Sequence, residues 1–178
     1  MADLLPPATA QMPGTDATER LVAELTRRGL TLAVAESLTG GALTAELIRI
    51  PGASAVVNGG VVAYQTALKH TLLGVDVALL DRHGPVHPEV ARQMAQGVRM
   101  RLAVDGRVAD IGVATTGVAG PDSQGGQAPG TVFLGLARAG DAWVIPLRLH
   151  GDRSSIRAAS VAAAVEAVWQ LLARDPVE

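Results

Sequence analysis

The sequence predicts an α/β protein, a three-layer α/β/α sandwich built on one mixed sheet in a single domain. Apolar runs of the length of a buried strand alternate with segments whose apolar residues recur at helical spacing. Near the C-terminal end, two such runs are separated only by Ala139-Gly140-Asp141, which is typical of a hairpin. That hairpin adds antiparallel strands to an otherwise parallel sheet. The length of 178 residues suits one domain.

The first half of the chain begins with a low-complexity segment. Residues 1–14 contain three prolines and no apolar period, so we expect a disordered tail before a domain over residues 15–174. Asp16, followed three residues later by Glu19, is typical of a helix start, and Gly29 ends this helix. The other elements expected here are a strand at 30–35, a helix carrying Leu43, Leu47 and Ile50, a strand at 55–64 and a helix at 65–73.

The second half is predicted from a proline and from apolar periods. Pro88 suits the first position of a helix, since the first turn does not use its missing N–H. Ser154 or Ser155 is expected to cap the last helix. The remaining features are an apolar stripe of Val90, Met94, Val98 and Leu102, a strand at 108–114, a loop at 122–130, strands at 131–138 and 142–149, and a final stripe of Val161, Val165, Val168 and Leu172.

The composition narrows the chemistry of the chain. The absence of cysteine excludes disulfides, thiol nucleophiles and thiolate metal sites. A net charge of -2 with scattered arginines does not fit a nucleic-acid-binding protein. The sequence shows no signal peptide and no apolar run of the roughly 20 residues that span a bilayer. We therefore expect a cytoplasmic protein with neither nucleic acid nor membrane as a partner.

Two strands run into turns rich in glycine and hydroxyl groups, AESLTGG at 35–41 and TTGVAGP at 115–121. Open α/β sheets bind ligands at the carboxyl ends of their strands, and glycine lets the backbone approach a ligand. Exposed N–H groups of such turns at a helix start favour an anion. The turns are neither a Walker loop nor a dinucleotide fingerprint. Each turn alone is equally explained as a tight strand-to-helix connection with Ser and Thr as caps.

Lys69 is the only lysine among fifteen basic residues. A buried lysine can lose its proton and act as a base, which an arginine cannot do. Tyr64 lies five residues earlier and can lend its hydroxyl to the same pocket. A Ser–Lys pair is a known form of serine hydrolase chemistry, and Ser37 and Ser54 are the candidate nucleophiles. The open alternatives are a chance position for Lys69 and a solvent-facing hydroxyl for Tyr64.

The histidines do not suggest a metal site, whereas Arg153 suggests a site for an anion. His83 and His87 flank Gly84-Pro85, so they cannot share one helical face as a ligand pair, and we expect neither a metal nor a cofactor. Arg153 lies at the start of the last helix, where a guanidinium can bind a phosphate through two hydrogen bonds. Solvation, or a pair with Asp152, is the alternative for this arginine.

The motifs also occur in a familiar order between about residues 18 and 172. They are AESLTGG, PGASAVVNGGVVAY, LLGV, HGPVHPEVARQMAQG, TGVAGPDSQGG, PGTVFLGLA and GDRSSIR. This series resembles the CinA C-terminal domain family, the nicotinamide mononucleotide amidohydrolases. The resemblance implies an α/β sandwich that hydrolyses the carboxamide of nicotinamide mononucleotide to nicotinate mononucleotide and ammonia in pyridine nucleotide recycling.

The resemblance also implies the residues of the site. Both serines match the family motifs, and we prefer Ser54 as the nucleophile with Lys69 as its base, which leaves Ser37 and Thr116 to position the ligand or an oxyanion. Leu38 and His87 depart from the residues common in the family, Cys and Ser. The implied catalytic set is Ser54, Lys69, Ser37, Tyr64 and Thr116, and the implied substrate-binding set is Thr39, Gly40, Gly41, Gly117 and Arg153.

The motifs leave two other functions open. One is a module that binds a nucleotide without catalysis, or a protein partner in competence or DNA damage. The other is an amidase for a different small carboxamide. We also expect a homodimer, because aliphatic, Ala-rich helices suit symmetric pairing. In many relatives a larger domain precedes this one, so we expect a stand-alone form or a separated domain.

Overall fold

The structure, a computed structural model, describes residues 16–174. In that range five strands form one sheet: β1 Leu32–Glu36, β2 Val57–Val62, β3 Ile111–Gly117, β4 Thr131–Ala137 and β5 Ala142–Arg148. Their order across the sheet is β2-β1-β3-β4-β5. Strands β2, β1 and β3 are parallel, whereas β4 and β5 are antiparallel to their neighbours. The predicted mixed sheet and its hairpin are confirmed, and the tail predicted for residues 1–14 lies outside the described residues.

Helices cover both faces of this sheet. Within residues 16–174 they are α1 Ala17–Arg28, α2 Ala42–Ile48, α3 Thr66–Leu73, α4 Val77–His83, α5 Pro88–Arg101 and α6 Arg153–Ala173. One core joins the sheet to α1, α2 and α6, and a second core joins its other face to α3, α4 and α5. The three-layer α/β/α sandwich is therefore confirmed. The sequence pattern does not predict α4, whose seven residues include only one that is buried, Leu80.

Local signals explain most helix ends, with one correction. The Asp16 side chain accepts hydrogen bonds from the N–H groups of Thr18 and Glu19, and Gly29 ends α1 in the left-handed conformation. The last helix is not capped by Ser154 or Ser155. It begins at Arg153, so the residue before it is Asp152, whose carboxylate accepts a hydrogen bond from the Ser155 N–H.

The two faces of the sheet differ in side-chain size, and this difference sets the position of α5. Large residues such as Leu32 and Ile111 point towards α1, α2 and α6, whereas alanine and glycine point towards α5. A Cβ on Gly135 would lie 2.0 Å from the Ala91 carbonyl oxygen. Helix α5 therefore packs directly on the strand backbone, which fixes the loop that precedes it at the carboxyl edge of the sheet.

Helix α6 is apolar for most of its 21 residues. By length and composition it is the one helix of residues 16–174 that is long and apolar enough to cross a membrane, which corrects the expectation that the sequence holds no run of that kind. In the structure its buried stripe, which includes Ile156, Val165, Val168 and Leu172, packs in the core beneath the sheet. The apolar side of α6 is thus used within the fold.

Candidate active site

A pocket of about 230 Å³ lies at the carboxyl edge of the parallel strands. Strands β1 and β3 end there side by side, with Glu36 paired to Thr115. The segments that follow β1, β2 and β3 therefore meet around one space, as is usual for ligand sites in open α/β sheets. The lining residues are Ser37, Leu38, Tyr64, Gln65, Thr66, Lys69, Pro85, Val86, Gly117, Val118, Ala119, Gly120, Asp122, Gln124 and Arg153.

Lys69 lies at the floor of this pocket on α3 and is completely buried. Its Nζ donates hydrogen bonds to Ser37 Oγ at 3.0 Å and to the Ala63 carbonyl oxygen at 2.7 Å. Burial lowers the pKa of Lys69 from 10.5 to about 8, because the ammonium form loses its hydration. A substantial share of neutral amine is therefore present near pH 8, in contact with a serine hydroxyl.

Ser37 is the first residue after β1 and is 8% exposed. Its N–H donates to the Thr115 carbonyl oxygen at 3.0 Å, and its own carbonyl oxygen accepts from the Gly40 N–H at 3.1 Å. The backbone of the turn is therefore anchored both to β3 and to itself. This anchoring holds the Ser37 hydroxyl against Lys69.

Glu36 organises the same turn, although it is not among the site residues predicted from the sequence. Its fully buried carboxylate accepts hydrogen bonds from the N–H groups of Gly41, Leu43 and Thr44 and from the Thr44 hydroxyl. A carboxylate is well suited to the exposed N–H groups at the start of α2. The sequence feature that could have indicated this role is a glutamate placed between a buried strand and a Gly-rich turn.

The internal bonding of this turn corrects the roles expected for two glycines. The Gly41 N–H is bonded to Glu36, and the Gly40 N–H is bonded to Ser37. Neither glycine lines the pocket. The N–H groups on which an anion site at Gly40 and Gly41 depended are thus already used within the protein.

The two threonines of the predicted site also point into the protein. Thr39 is buried and its hydroxyl is hydrogen bonded to the Thr115 hydroxyl at 2.7 Å. The Thr116 hydroxyl donates to the Pro85 carbonyl oxygen at 2.7 Å. Neither residue lines the pocket, whereas Pro85 does. Thr116 therefore acts on the pocket by holding the loop that forms one wall.

The structure contradicts the preferred pairing of Ser54 with Lys69. Ser54 is exposed in a 3-10 turn, Ala53–Ala55, that precedes β2. Lys69 Nζ is bonded to Ala63, which directly follows β2. A six-residue strand is about 17 Å long, so Ser54 and Lys69 lie towards opposite ends of β2. The serine in contact with Lys69 is Ser37.

Tyr64 and Arg153 meet at the mouth of the pocket. The Tyr64 hydroxyl accepts a hydrogen bond from Arg153 Nη2 at 3.2 Å, and Arg153 Nη1 donates to the Gly120 carbonyl oxygen at 3.0 Å. Both acceptors are neutral, and Arg153 forms no ion pair with an acidic side chain of residues 16–174. The mouth therefore presents a cation whose charge is not neutralised. Gly117 lines the wall, where a Cβ would lie 2.6 Å from the Thr131 carbonyl oxygen.

The two histidines near the pocket have a structural role at the start of α5. The rings of His83 and His87 stack at 4.6 Å, and His87 Nδ1 accepts a hydrogen bond from the Glu89 N–H at the start of α5. Burial and the neighbouring His83 lower the pKa of His87. Among the described residues no group of three or more His, Asp or Glu side chains is placed to hold a metal ion.

Fold and pocket together define an α/β/α protein with a buried Ser–Lys pair below an exposed arginine. A sequence profile of the CinA C-terminal domain matches residues 14–172. A CinA-like protein of Frankia casuarinae is 46% identical over 152 residues, which cover 85% of this chain and 34% of that protein. A CinA-like protein of Synechococcus is 48% identical over 141 residues, which cover 78% of this chain and 32% of that protein. The chain belongs to the CinA C-terminal domain family, and it spans about a third of the length of these relatives.

Solved structures agree with this assignment. A CinA superfamily protein of Klebsiella pneumoniae has a TM-score of 0.83 at 32% identity, covering 89% of this chain and 97% of that one. The competence/damage inducible protein CihA of Agrobacterium tumefaciens has a TM-score of 0.79 at 35% identity, covering 92% and 99%. The family fold therefore extends over nearly the whole described chain.

Proposed function

We propose that this protein hydrolyses the carboxamide of nicotinamide mononucleotide to nicotinate mononucleotide and ammonia, with Ser37 as the nucleophile and Lys69 as the base. The observation that carries the proposal is the 3.0 Å contact between Lys69 Nζ and Ser37 Oγ at the floor of a pocket. A nucleophile activated by a base of lowered pKa is the usual arrangement in covalent hydrolysis. Burial has brought the pKa of this lysine to about 8, close to working pH.

The reaction proceeds in two halves in this proposal. Neutral Lys69 takes the hydroxyl proton of Ser37 as Oγ bonds to the carboxamide carbon. The carbon–nitrogen bond of the tetrahedral intermediate then breaks, and the leaving nitrogen takes the proton from Lys69 and departs as ammonia. Water attacks the resulting ester with Lys69 again accepting a proton, and this proton returns to Ser37 Oγ as the carboxylic acid leaves. The acid then ionises to the carboxylate, and its proton is taken up by the released ammonia. One water is consumed for each ammonia released.

Leu38 supplies a donor for the negative oxygen of the intermediate. Its N–H directly follows Ser37 and donates to no backbone or side-chain acceptor of residues 16–174. Leu38 also lines the pocket. An N–H adjacent to the nucleophile is a common donor in oxyanion stabilisation, where a single donor contributes about 3 kcal/mol.

Arg153 and Tyr64 support binding of a phosphorylated substrate. The Arg153 guanidinium stands at the mouth of the pocket with neutral partners only, so a phosphate can take the place of the Tyr64 hydroxyl or Gly120 carbonyl as acceptor. Lys69 lies at the floor and Arg153 at the mouth. A mononucleotide with its phosphate outward and its carboxamide inward fits this arrangement of groups.

The test is ammonia release from nicotinamide mononucleotide by the purified protein in the presence of a chelator. We expect equimolar nicotinate mononucleotide, a loss of about 1,000-fold or more in Ser37→Ala, and near-normal turnover in Ser54→Ala. Lys69→Arg should also be inactive, since an arginine cannot accept the serine proton. Nicotinamide and its riboside, which lack the phosphate, should react far more slowly than the mononucleotide.

A binding module is the competing function. Folded protein that binds nicotinamide mononucleotide but releases no ammonia, with affinity unchanged in Lys69→Arg, would favour it. Equal turnover of nicotinamide, its riboside and its mononucleotide would instead indicate an amidase that does not read the phosphate.

A further inference from the structure

We propose that Asp122 selects a substrate whose ring is positively charged, that is, an N-substituted pyridinium carboxamide in preference to a neutral one. The inference rests on the proposed function and concerns the specificity of the same pocket. It assigns a role to a carboxylate that neither the Ser–Lys chemistry nor the phosphate contact uses.

Asp122 lies in the segment that connects β3 to β4 and lines the pocket beside Gln124. Its side chain takes part in no ion pair and accepts no hydrogen bond from residues 16–174. The loop beyond it is held closed by two backbone hydrogen bonds between Gln124 and Gln127, at 2.9 and 3.0 Å. The carboxylate is thus presented at the pocket without a partner in the described part of the chain.

The charges around the pocket form a complementary set for a zwitterion. Its charged or titratable lining groups are Lys69, Arg153, Asp122 and the phenol of Tyr64. When Lys69 is neutral and ready to act as a base, Arg153 contributes one positive charge and Asp122 one negative charge. Nicotinamide mononucleotide carries a negative phosphate and a positive pyridinium ring. Arg153 matches the first, and Asp122 matches the second.

An unpaired carboxylate at this position would otherwise oppose the ligand. Asp122 is exposed, so its carboxylate is hydrated in the free protein. It repels a phosphate, and a substrate that covers it removes this water, so binding is opposed unless the substrate brings a cation or hydrogen-bond donors. Ribose hydroxyls are such donors, but a neutral amide such as Gln124 serves them without repelling the phosphate. The negative charge of Asp122 is therefore better explained by an interaction with the positive ring than by one with the ribose.

Selection of the cation also has a chemical benefit. A positive ring nitrogen withdraws electrons from the carboxamide carbon and makes it a better target for Ser37 Oγ. A site that prefers the pyridinium therefore prefers the more reactive carboxamide. Neutral carboxamides of similar shape are disfavoured without a steric barrier.

The experiment compares two ligands that differ in ring charge. Nicotinamide mononucleotide has the pyridinium, whereas dihydronicotinamide mononucleotide has a neutral ring with the same carboxamide, ribose and phosphate. For wild type, Asp122→Asn and Asp122→Glu, kcat and KM are measured with the first ligand and the inhibition constant with the second. Asn keeps the size and one acceptor oxygen but removes the charge. Asp141→Asn, in the exposed turn between β4 and β5, is the matched control.

We expect Asp122→Asn to raise KM for nicotinamide mononucleotide about 10-fold with little change in kcat, as for the loss of one partly desolvated charge pair. Its inhibition constant for the dihydro form should change less than about 3-fold. Asp122→Glu should retain most of the preference, and Asp141→Asn should match wild type.

Three results would overturn the inference. Equal weakening of both ligands would mean that Asp122 contacts the shared ribose, and no change with either would mean that it contacts neither. Loss of the preference in Asp122→Glu as complete as in Asp122→Asn would assign the effect to shape and not to charge. If wild type released no ammonia, the proposed function would fail, and calorimetric binding of the same two ligands would still decide the role of Asp122.

Discussion

Burial of Lys69 lowers the stability of the protein but increases the share of the neutral amine that a base requires. Lys69 is the only lysine of the chain and is fully buried, with two hydrogen-bond acceptors but no carboxylate of residues 16–174 to pair with. Two neutral acceptors do not replace the hydration of an ammonium ion, so burial lowers its pKa to about 8. The cost in stability and the larger share of neutral amine near pH 8 have the same origin.

The first prediction is the pH dependence of turnover. Above pH 7 the substrate phosphate is already ionised, so kcat/KM for nicotinamide mononucleotide should follow the neutral fraction of Lys69. A pKa of about 8 predicts about one tenth of the maximal value at pH 7 and a plateau above pH 9. Steady-state ammonia release from pH 6.5 to 10 measures this curve. A flat profile would show that Lys69 is not the base.

The same pKa predicts a pH dependence of stability. The folded value of about 8 lies below the unfolded value of about 10.5, so the unfolded chain binds more protons between these limits and stability rises with pH there. Relative to Lys69→Met, wild type should gain about 2 to 3 kcal/mol between pH 7 and pH 10. Urea unfolding of both proteins at the two pH values gives this difference. If the difference in unfolding free energy between the two proteins did not change with pH, Lys69 would be hydrated in the folded protein.

At the scale of the element, the turn between β1 and α2 depends on Glu36. In Glu36→Gln the side-chain amide replaces one acceptor oxygen with a donor that faces N–H groups. We expect a loss of about 2 kcal/mol in the free energy of unfolding and a marked fall in turnover, because the turn also carries Ser37. Thermal unfolding and ammonia release test both effects.

Glu166→Gln is the matched control for this variant. Its carboxylate accepts a single side-chain hydrogen bond, from Gln170 on the same helix. We expect a change below about 0.5 kcal/mol for this substitution. Similar losses in both variants would contradict a special role for Glu36.

Helix α5 provides a second test at this scale. Because a Cβ on Gly135 would lie 2.0 Å from the Ala91 carbonyl oxygen, Gly135→Ala should separate α5 from the sheet and cost about 3 kcal/mol or more. Gly140→Ala has open space but a φ of +86°, so it should cost only about 1 kcal/mol. Urea midpoints compare the two. Equal costs would show that α5 moves aside without penalty.

For the whole molecule, the fold could be predicted well from the sequence because each helix and strand is indicated by residues that are neighbours in the chain. Strand runs, the Asp16 cap and the hairpin at Gly140 each follow from neighbouring residues, and the order of the motifs supplied the family. Helix α4 was missed because a seven-residue helix with one buried residue shows no apolar period. The predicted homodimer stays a prediction.

The site was predicted only in part, because its geometry depends on contacts distant in sequence. Ser37 and Ser54 both match family motifs, and only the direction of β2 separates the second from Lys69. Gly40 and Gly41 suggested an anion site, but the side chain of Glu36 occupies their helix start. Local sequence does not reveal which N–H groups are already bonded.

The last prediction concerns cooperativity between the two layers of helices. Strands β1, β3 and β4 contribute side chains to both cores, so loss of either layer exposes a face of the shared sheet to water. In urea, far-UV circular dichroism and the fluorescence of Trp143 and Trp169 should therefore report one transition. Met94→Ala in one core and Val168→Ala in the other should shift both signals together, by about 2 to 4 kcal/mol each. A variant that separated the two signals would show that the layers unfold independently and that the sheet remains folded with one face bare.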